Sequence, residues 1–209
     1  ALLACRRRDF AANESAADFL TRKKAPLIYR IHEEPDDEDL AEFKEFVAAF
    51  GYRIKNPRDR SEIQKFLNSV QKTPLATSLQ RAFLRSLKRA EYSEKNIGHY
   101  GLASPCYAYF TSPIRRYPDL HTHRLLDHAL TGKKFPKFPA LKGLALHCSE
   151  MENIADDAER EMLKLRKLQY FQRQRGRDEN AVFRAVITRV MKFGLMVYLN
   201  RYLLTGLVH

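Results

Sequence analysis

The spacing of apolar residues changes once along this chain of 209 residues, and the change limits what the chain can fold into. Before about residue 178, apolar side chains in most segments recur every three or four positions, which is typical of amphipathic helices. From residue 181 they recur at every second position, which is typical of strands with one buried face. The pattern therefore predicts an α+β fold, mainly helical over residues 1–178 and followed by a small β module over residues 181–209.

Several helices in the first part have clear boundaries. The spacing predicts them over residues 36–50, 61–71, 75–91 and 139–175. The first begins with Asp36, Asp37 and Glu38, and it ends before Gly51. Acidic side chains favour the positive end of a helix dipole, so this run indicates a first helical turn rather than a metal site. Residues 176–180 are polar and predict a linker.

Two other segments follow a different pattern. Residues 97–112 lack a helical period, contain glycine and proline, and are rich in aromatic side chains, so we expect an extended conformation there. Strands are predicted over residues 182–190, 195–199 and 203–208. We expect these strands to form a β module that the chain does not close.

Composition excludes several classes of protein. Apolar residues make up 44% of the chain, which is enough to form a core, so the chain is not a disordered tail. No run of about 18 apolar residues is present, so we expect no membrane span. The cysteines Cys5, Cys106 and Cys148 are widely spaced, which predicts neither a disulfide framework nor a zinc site. We expect free, buried thiols at Cys106 and Cys148, and a cytoplasmic location.

The distribution of charge indicates a polyanionic partner. The formal net charge is +12. Residues 51–137 hold seventeen basic and six acidic side chains, and residues 181–209 hold four basic side chains and no acidic one. Clustered Lys and Arg attract phosphate backbones, although basic side chains also simply solvate helix faces. One basic face, on the helix predicted over residues 75–91, consists of Arg81, Arg85, Lys88 and Arg89.

The segment over residues 111–124 carries the strongest chemical signal. Ser112 and Pro113 are typical of a helix start, which leaves the backbone N–H of Ile114 and its successors free to bind an anion. Arg115 and Arg116 follow at once, and each can donate two hydrogen bonds to a phosphate. Aromatic side chains on either side can stack on bases. Together these features predict a phosphodiester-binding site.

The same segment resembles a known family of nucleases. The stretches Gly98-His99-Tyr100-Gly101-Leu102-Ala103, Tyr107 through Asp119 and His123-Arg124-Leu125-Leu126 resemble the long signature of the ribonuclease II/ribonuclease R family. The resemblance extends to Ala12-Asn13-Glu14-Ser15, to Pro26 through His32 and to Ala155 through Glu161. It covers about residues 10–209, and the Arg-Arg-Tyr-Pro-Asp form is most similar to the ribonuclease R branch.

The resemblance implies both an architecture and an activity. Residues 1–178 would be the C-terminal part of the family's catalytic domain, and residues 181–209 the first strands of an OB-fold RNA-binding domain. The activity would be Mg²⁺-dependent 3′→5′ exoribonuclease action on single-stranded RNA, processive and releasing nucleoside 5′-monophosphates. We expect a monomer that binds RNA and neither DNA nor membrane.

Individual roles also follow from the resemblance. Arg115 aligns with the family's catalytic arginine and Glu159 with a glutamate near the phosphate, although Arg115 in an ion pair and Glu159 in solvent remain open. The expected RNA-binding residues are Ser112, Ile114, Arg116, Tyr117, His123, Arg124 and Tyr109. His99 and His123 are expected to be structural or RNA-contacting, since two-metal hydrolysis needs no histidine base.

The family's metal-binding aspartate cluster is absent from this sequence. We therefore expect no metal ligands in the chain, and residues 1–8, where Arg6, Arg7 and Arg8 stand, match the family poorly. The alternative is a non-catalytic RNA-binding protein or fragment, and aspartates upstream would distinguish the two. A DNA-binding helical protein is disfavoured, because no helix-turn-helix spacing is present and OB-folds prefer single strands.

Overall fold

A computed structural model describes residues 2–178 and 181–209, with the backbone alone for residues 2–6. Its helices are α1 (Leu2–Arg22), α2 (Asp37–Ala49), α3 (Arg60–Val70), α4 (Ala76–Arg85), α5 (Tyr117–Leu130) and α6 (Leu141–Arg177). Its strands are β1 (Tyr29–Ile31), β2 (Glu91–Ser93), β3 (Val186–Met191), β4 (Gly194–Leu199) and β5 (Leu204–Val208). A short 3₁₀ turn spans Tyr100–Leu102. The mixture of helices and small sheets confirms the predicted α+β class.

The first of two compact units comprises residues Ala1–Asp36 and Leu87–Ile154. Strands β1 and β2 pair antiparallel in it, with Arg30 opposite Tyr92. Helices α1 and α5 share a core in which Leu20, Leu27 and Leu125 are almost fully buried. Burying each such side chain contributes about 1.5–3 kcal/mol to folding. This core fixes the relative positions of the two helices that flank the segment 105–116.

The second unit comprises residues Asp37–Ser86 and Ala155–His209. Helices α2, α3 and α4 enclose a core of Phe43, Val47, Ile54, Ile63, Phe66, Val70 and Leu79. The start of α3 is capped by Asp59, whose side chain accepts a hydrogen bond from Ser61 N–H at 2.8 Å. Hydrogen bonding to Ser61, through its side chain first and its backbone N–H second, lowers the pKa of the Asp59 carboxyl.

Strands β3, β4 and β5 form an antiparallel sheet in sequence order within the second unit. Gly194 begins β4 with φ +152°, and a Cβ there would lie 2.3 Å from the carbonyl oxygen of Val208. Glycine is therefore required for the close approach of β4 and β5. The three strands confirm the predicted change of period at the end of the chain, although β3 begins at Val186 rather than 182. Over the described residues the sheet does not close into a barrel.

The predicted helices over 36–50, 61–71 and 139–175 are confirmed as α2, α3 and α6. The helix over 75–91 was predicted too long, because α4 ends at Arg85 and Glu91–Ser93 pairs with β1. Ser86 terminates α4 by donating its hydroxyl hydrogen to the carbonyl of Phe83. The predicted linker begins too early, because Gly176 is still helical, and residues 179 and 180 lie outside the described residues.

None of the helices in the described part of the chain is both long and apolar enough to cross a membrane. The division into domains at residues 178–181 stays a prediction.

Candidate functional site

Residues 112–116 form a turn rather than the predicted start of a helix. The backbone N–H groups of Arg115 and Arg116 both donate to the carbonyl of Ser112, at 3.3 and 3.2 Å. The helix α5 begins only at Tyr117, and its N-cap is Arg116, with an extended backbone at φ −127° and ψ 121°. Ser112 is therefore not an N-cap, and Arg116 does not lie in a first helical turn. We call residues 112–116 the arginine turn.

The position of Pro118 explains the later helix start. Proline is favoured in the first turn of a helix, because its missing N–H would have no partner there. It also disfavours helical backbone angles in the residue before it, so a helix that began at Pro113 would be interrupted at Pro118. The sequence contains two proline start signals, and α5 uses the second.

The carboxylate of Asp119 holds the two ends of the arginine turn. Its Oδ1 accepts hydrogen bonds from the backbone N–H of Ser112 at 2.8 Å and from the Arg116 guanidinium at 2.7 Å. The Asp119 side chain is 0% exposed. Charge-assisted bonds of this kind are stronger than neutral ones, and in a buried site they tolerate little movement. The turn is therefore fixed to the first turn of α5.

The Arg116 side chain is held by contacts within the protein. Its guanidinium carbon lies 3.8 Å from the ring centroid of Tyr109, in addition to its ion pair with Asp119. Burial disfavours the charged guanidinium, but the hydrogen bond and charge of Asp119 raise the pKa of Arg116 overall. The structure thus gives Arg116 a structural partner, and its predicted contact with RNA stays a prediction.

Arg115 has the opposite environment. Its side chain is exposed, and it forms no ion pair or hydrogen bond with the described residues of the chain. Ile114 beside it is fully exposed, at 102%. The turn therefore directs two neighbouring arginine side chains in opposite directions, with Arg116 inward and Arg115 into solvent. A cation held on a fixed turn without a protein partner is available to an external anion.

A second buried anchor holds the segment that leads into the turn. Asn13 of α1 accepts a hydrogen bond from Phe110 N–H at 2.9 Å and donates one to the Tyr107 hydroxyl at 2.8 Å. Its side chain is buried. The sequence did not identify Asn13 as a functional residue, although its alanine-asparagine motif belongs to the resemblance. It positions the aromatic segment from α1, as Asp119 positions the arginine turn from α5.

A third group, around Arg30, extends the ring contacts of Tyr109. The Arg30 guanidinium lies beside both the Tyr92 and the Tyr109 ring, with its carbon 4.6 and 5.4 Å from their centroids. It also forms an ion pair with Glu152 of α6. Arg30 and Arg116 thus contact the same tyrosine. Tyr109 was predicted to bind RNA, and its ring is already occupied by two guanidinium groups.

The remaining predicted RNA-binding residues divide into held and exposed side chains. His123 Nε2 lies 2.8 Å from the carbonyl of Phe110, and the two rings stack at 4.3 Å, so His123 is held by the protein. Tyr117 is 41% exposed, and Arg124 on α5 is exposed. Tyr117, Arg124 and Ile114 are therefore open to a ligand on the same unit as Arg115.

Two further predictions lie on other elements. Glu159 lies on α6 within the second unit, and its side chain is exposed. The basic face predicted on one helix is divided, because only Arg81 and Arg85 lie on α4. Lys88 is paired with Glu33 and Asp36, and Arg89 donates to Asn153. The prediction that these four side chains form one basic face on a single helix is therefore wrong.

The cysteines and the metal prediction can be judged only for the described side chains. Cys106 and Cys148 are free and half-buried rather than fully buried as predicted, and burial raises the pKa of each thiol. Cys5 lies outside the described side chains. Within the described part of the chain, no three His, Cys, Asp or Glu side chains lie together as a metal site would require. Mg²⁺ does not fit these residues.

Two histidines beside the segment act as neutral hydrogen-bond acceptors. His32 Nδ1 accepts from Gly101 N–H at 2.9 Å, which leaves Nε2 to donate to the carbonyl of Lys88 at 2.7 Å. His99 Nδ1 accepts from Leu102 N–H at 3.2 Å and caps the 3₁₀ turn. Burial, followed by the proximity of His32 and the charge of Arg30, lowers the pKa of His99 to about 4. Both rings hold the connection to the aromatic segment, and His99 does so while uncharged.

His99 should therefore make the chain sensitive to mild acid. Its pKa in the folded chain is about 4, against 6.5 unfolded, so the unfolded state binds the proton first as pH falls. Stability should be intact above about pH 6.5 and decrease down to about pH 4, by about 1–2 kcal/mol at this half-buried ring. His99→Asn, which keeps a capping oxygen, should lose less thermal stability between pH 7 and 4.5 than the wild type. Exposed His147→Asn should follow the wild type, and parallel curves for all three chains would contradict the assignment.

Comparison with known proteins identifies the family of the chain. Residues 10–132 match the family model described as the RNB domain. Ribonuclease R of Thermotoga maritima is 42% identical over 207 residues, covering 95% of this chain and 29% of that protein. Ribonuclease R of Escherichia coli is 38% identical over 215 residues, covering 95% and 26%. The chain thus spans between a quarter and a third of the length of these curated relatives.

Solved structures show the same fold. Mycoplasma genitalium RNase R in complex with ribose-methylated single-stranded RNA is 27% identical, covers 97% of this chain and 33% of that one, and superposes with a TM-score of 0.82. Yeast Ssd1, described as a pseudonuclease, is 20% identical with a TM-score of 0.86 over 98% of this chain and 26% of that one, and it shows the fold alone. From the match to more than half of its residues, the chain belongs to the RNB-domain family, with ribonuclease R among its relatives.

Proposed function

We propose that the complete gene product containing residues 1–209 is a 3′→5′ exoribonuclease that degrades single-stranded RNA processively to nucleoside 5′-monophosphates. The observation that carries this proposal is the exposed Arg115, which pairs with none of the residues that the structure describes and lies on a turn fixed at both ends by Asp119. The arginine occupies the family motif that the resemblance assigns to catalysis. The relatives named ribonuclease R and the RNase R structure with single-stranded RNA support the same activity.

The role proposed for Arg115 is to bind the scissile phosphate. Its planar guanidinium can donate two parallel hydrogen bonds to phosphate oxygens, and these bonds strengthen as negative charge builds on the oxygens in the transition state. A fixed turn reduces the reorganisation needed at that moment. Because Arg115 forms no ion pair within the described part of the chain, its charge need not be released from a carboxylate there before it binds. Arg116 cannot substitute, since Asp119 and Tyr109 hold it.

The remaining features of the proposal come from the resemblance. RNA would contact Ile114, Tyr117 and Arg124, and Glu159 would act near the phosphate. Mg²⁺ would be bound by residues outside this chain, so the part proposed for the chain is phosphate and RNA binding. The proposal also includes a monomeric state, a cytoplasmic location and an OB-fold module from residue 181. It includes no affinity for DNA or membranes.

Cleavage of labelled RNA tests the proposal. With Mg²⁺, the complete gene product should shorten a 5′-labelled single-stranded RNA stepwise from its 3′ end, release 5′-monophosphates and stop when EDTA is added. Residues 1–209 alone should leave the RNA intact, because their described side chains hold no metal site. Cleavage by residues 1–209 would contradict the assignment of the metal ligands, and internal cleavage by the complete protein would contradict the exonuclease mechanism.

Binding without cleavage is the second candidate function. Yeast Ssd1 has the same fold and is described as a pseudonuclease, so the fold is compatible with an inactive protein. A complete gene product that binds the labelled RNA but leaves it intact under these conditions would establish this function instead.

A further inference from the structure

The buried carboxylate of Asp119 is more than a packing residue of α5. It is 0% exposed, and its Oδ1 accepts both the backbone N–H that precedes the exposed part of the arginine turn and the guanidinium that follows it. Ser112 and Arg116 are the two ends of that turn. Among the described residues, no hydrogen bond or ion pair joins Asp119 to Arg115. Asp119 therefore holds the two ends of the turn without pairing with the side chain that the turn exposes.

The hydrogen bonds of this group are unevenly shared. Asp119 Oδ1 accepts two donors, whereas Asp119 Oδ2 and Arg116 Nε are buried without a hydrogen-bond partner in the structure. A buried polar atom without a partner lowers stability, so a sequence selected for stability alone would favour an apolar pair here. A costly buried ion pair whose bonds all fix one turn is typical of positioning at a functional site.

The balance of charge also favours this role. The guanidinium of Arg116 neutralises Asp119 locally, and its stacking on Tyr109 keeps it in place. Asp119 is thus prevented from pairing with Arg115, the next cation along the chain. The pair fixes the turn while Arg115 keeps its full positive charge for an external anion.

We propose that Asp119 is a positioning residue for the reaction, which orients Arg115 toward the scissile phosphate through Ser112 N–H and Arg116. This inference rests on the proposed function of Arg115. Misplacing a catalytic group by about 1 Å costs up to about 100-fold in rate, whereas RNA affinity depends on many contacts. Loss of Asp119 should therefore slow cleavage much more than it weakens binding.

A double-mutant cycle in the complete gene product tests the proposal. Asp119→Asn keeps an acceptor for Ser112 N–H but removes the charge that holds Arg116. Single-turnover cleavage should slow by about 10- to 30-fold, with RNA affinity changed less than about 3-fold. In an Arg115→Ala background, the same substitution should slow cleavage less than about 3-fold further, because a group that acts through Arg115 has nothing left to position.

Two other variants keep the test independent of folding. Thr122→Ala removes another buried polar group of α5, whose hydroxyl donates to the Pro118 carbonyl at 2.9 Å, so it should lower thermal stability without slowing cleavage. Arg116→Gln breaks the other half of the ion pair. Like Asp119→Asn, it should slow cleavage in the wild-type background and have almost no further effect on the cleavage rate in the Arg115→Ala background. It therefore tests the proposal even where Asp119→Asn does not fold.

The outcomes separate this inference from the proposed function. Wild-type cleavage by Asp119→Asn, or multiplicative losses in the double variant, would overturn the positioning role while leaving Arg115 as the phosphate-binding residue. An Arg115→Ala protein that cleaves at the wild-type rate would overturn the proposed function itself.

Discussion

Arg115→Ala in the complete gene product should reduce the single-turnover rate of RNA cleavage by about 10²- to 10³-fold and change RNA affinity little. The loss of one preorganised donor to a developing negative charge typically costs this much. Affinity should be nearly retained because other cations contact the phosphate backbone along the bound strand. Rapid-mixing cleavage and equilibrium binding, measured on the same labelled RNA, provide the two numbers to compare.

Two substitutions sharpen the interpretation of Arg115→Ala. Arg115→Lys should also cleave slowly, since an ammonium group cannot form the planar pair of hydrogen bonds. Arg81→Ala removes a cation from α4 whose guanidinium carbon lies 4.8 Å from the ring centroid of Tyr198, and it should leave the cleavage rate unchanged. A proportional loss of rate and affinity in Arg115→Ala would mean that the arginine only binds RNA, and the transition-state role would be abandoned.

Binding of single-stranded RNA to residues 1–209 should weaken steeply with salt. Each phosphate that a Lys or Arg neutralises contributes a slope of about −0.7 to log affinity against log salt. If about five phosphates are contacted, affinity should fall roughly 100-fold between about 50 mM and about 200 mM salt. Fluorescence anisotropy of a labelled oligonucleotide across this range measures the slope, and an affinity that does not depend on salt would exclude a polyanionic partner.

The structure indicates which cations should contribute to that slope. Arg124 is exposed and has no partner among the described residues, whereas Lys133 on the same unit lies 3.4 Å from Asp127. Arg124→Gln should therefore reduce the slope by about 0.7, and Lys133→Gln should reduce it much less. Equal effects of the two substitutions would show that the binding is nonspecific attraction to net charge.

Sequence reasoning predicted best those elements whose apolar period is decided locally. Helices α2 and α6 and the change to strands near residue 181 follow directly from side-chain spacing. Sequence reasoning failed where contacts between residues distant in the sequence determine the backbone conformation. Helix α4 ends at Arg85, and Glu91–Ser93 pairs with β1, a strand about sixty residues earlier in the chain, so side-chain spacing alone continued the helix too far.

The site shows a similar division. The motif with Ser112, Arg115 and Arg116 was recognisable, but side-chain chemistry alone made both arginines phosphate donors, and only the resemblance separated a catalytic Arg115 from an RNA-binding Arg116. The difference between the two arginines depends on the burial of Asp119 and on the ring of Tyr109. Both residues are near Arg116 in the sequence, but the fold decides where their side chains lie. Likewise, Asn13 reaches Phe110 only because α1 packs beside the segment, so its part could not be derived from spacing.

The opposite environments of Arg115 and Arg116 make the number of residues in the arginine turn a functional quantity. Asp119 accepts hydrogen bonds from both ends of the turn, so the count of residues between Ser112 and Asp119 decides which arginine faces inward. Deleting one residue between Arg116 and Asp119 would place Arg115 where Arg116 now lies relative to Asp119. Arg115 would then face inward, and Arg116 would leave its ion pair. Single-residue insertions and deletions here should therefore be tolerated far less than substitutions at the same positions, although the segment lies at the surface.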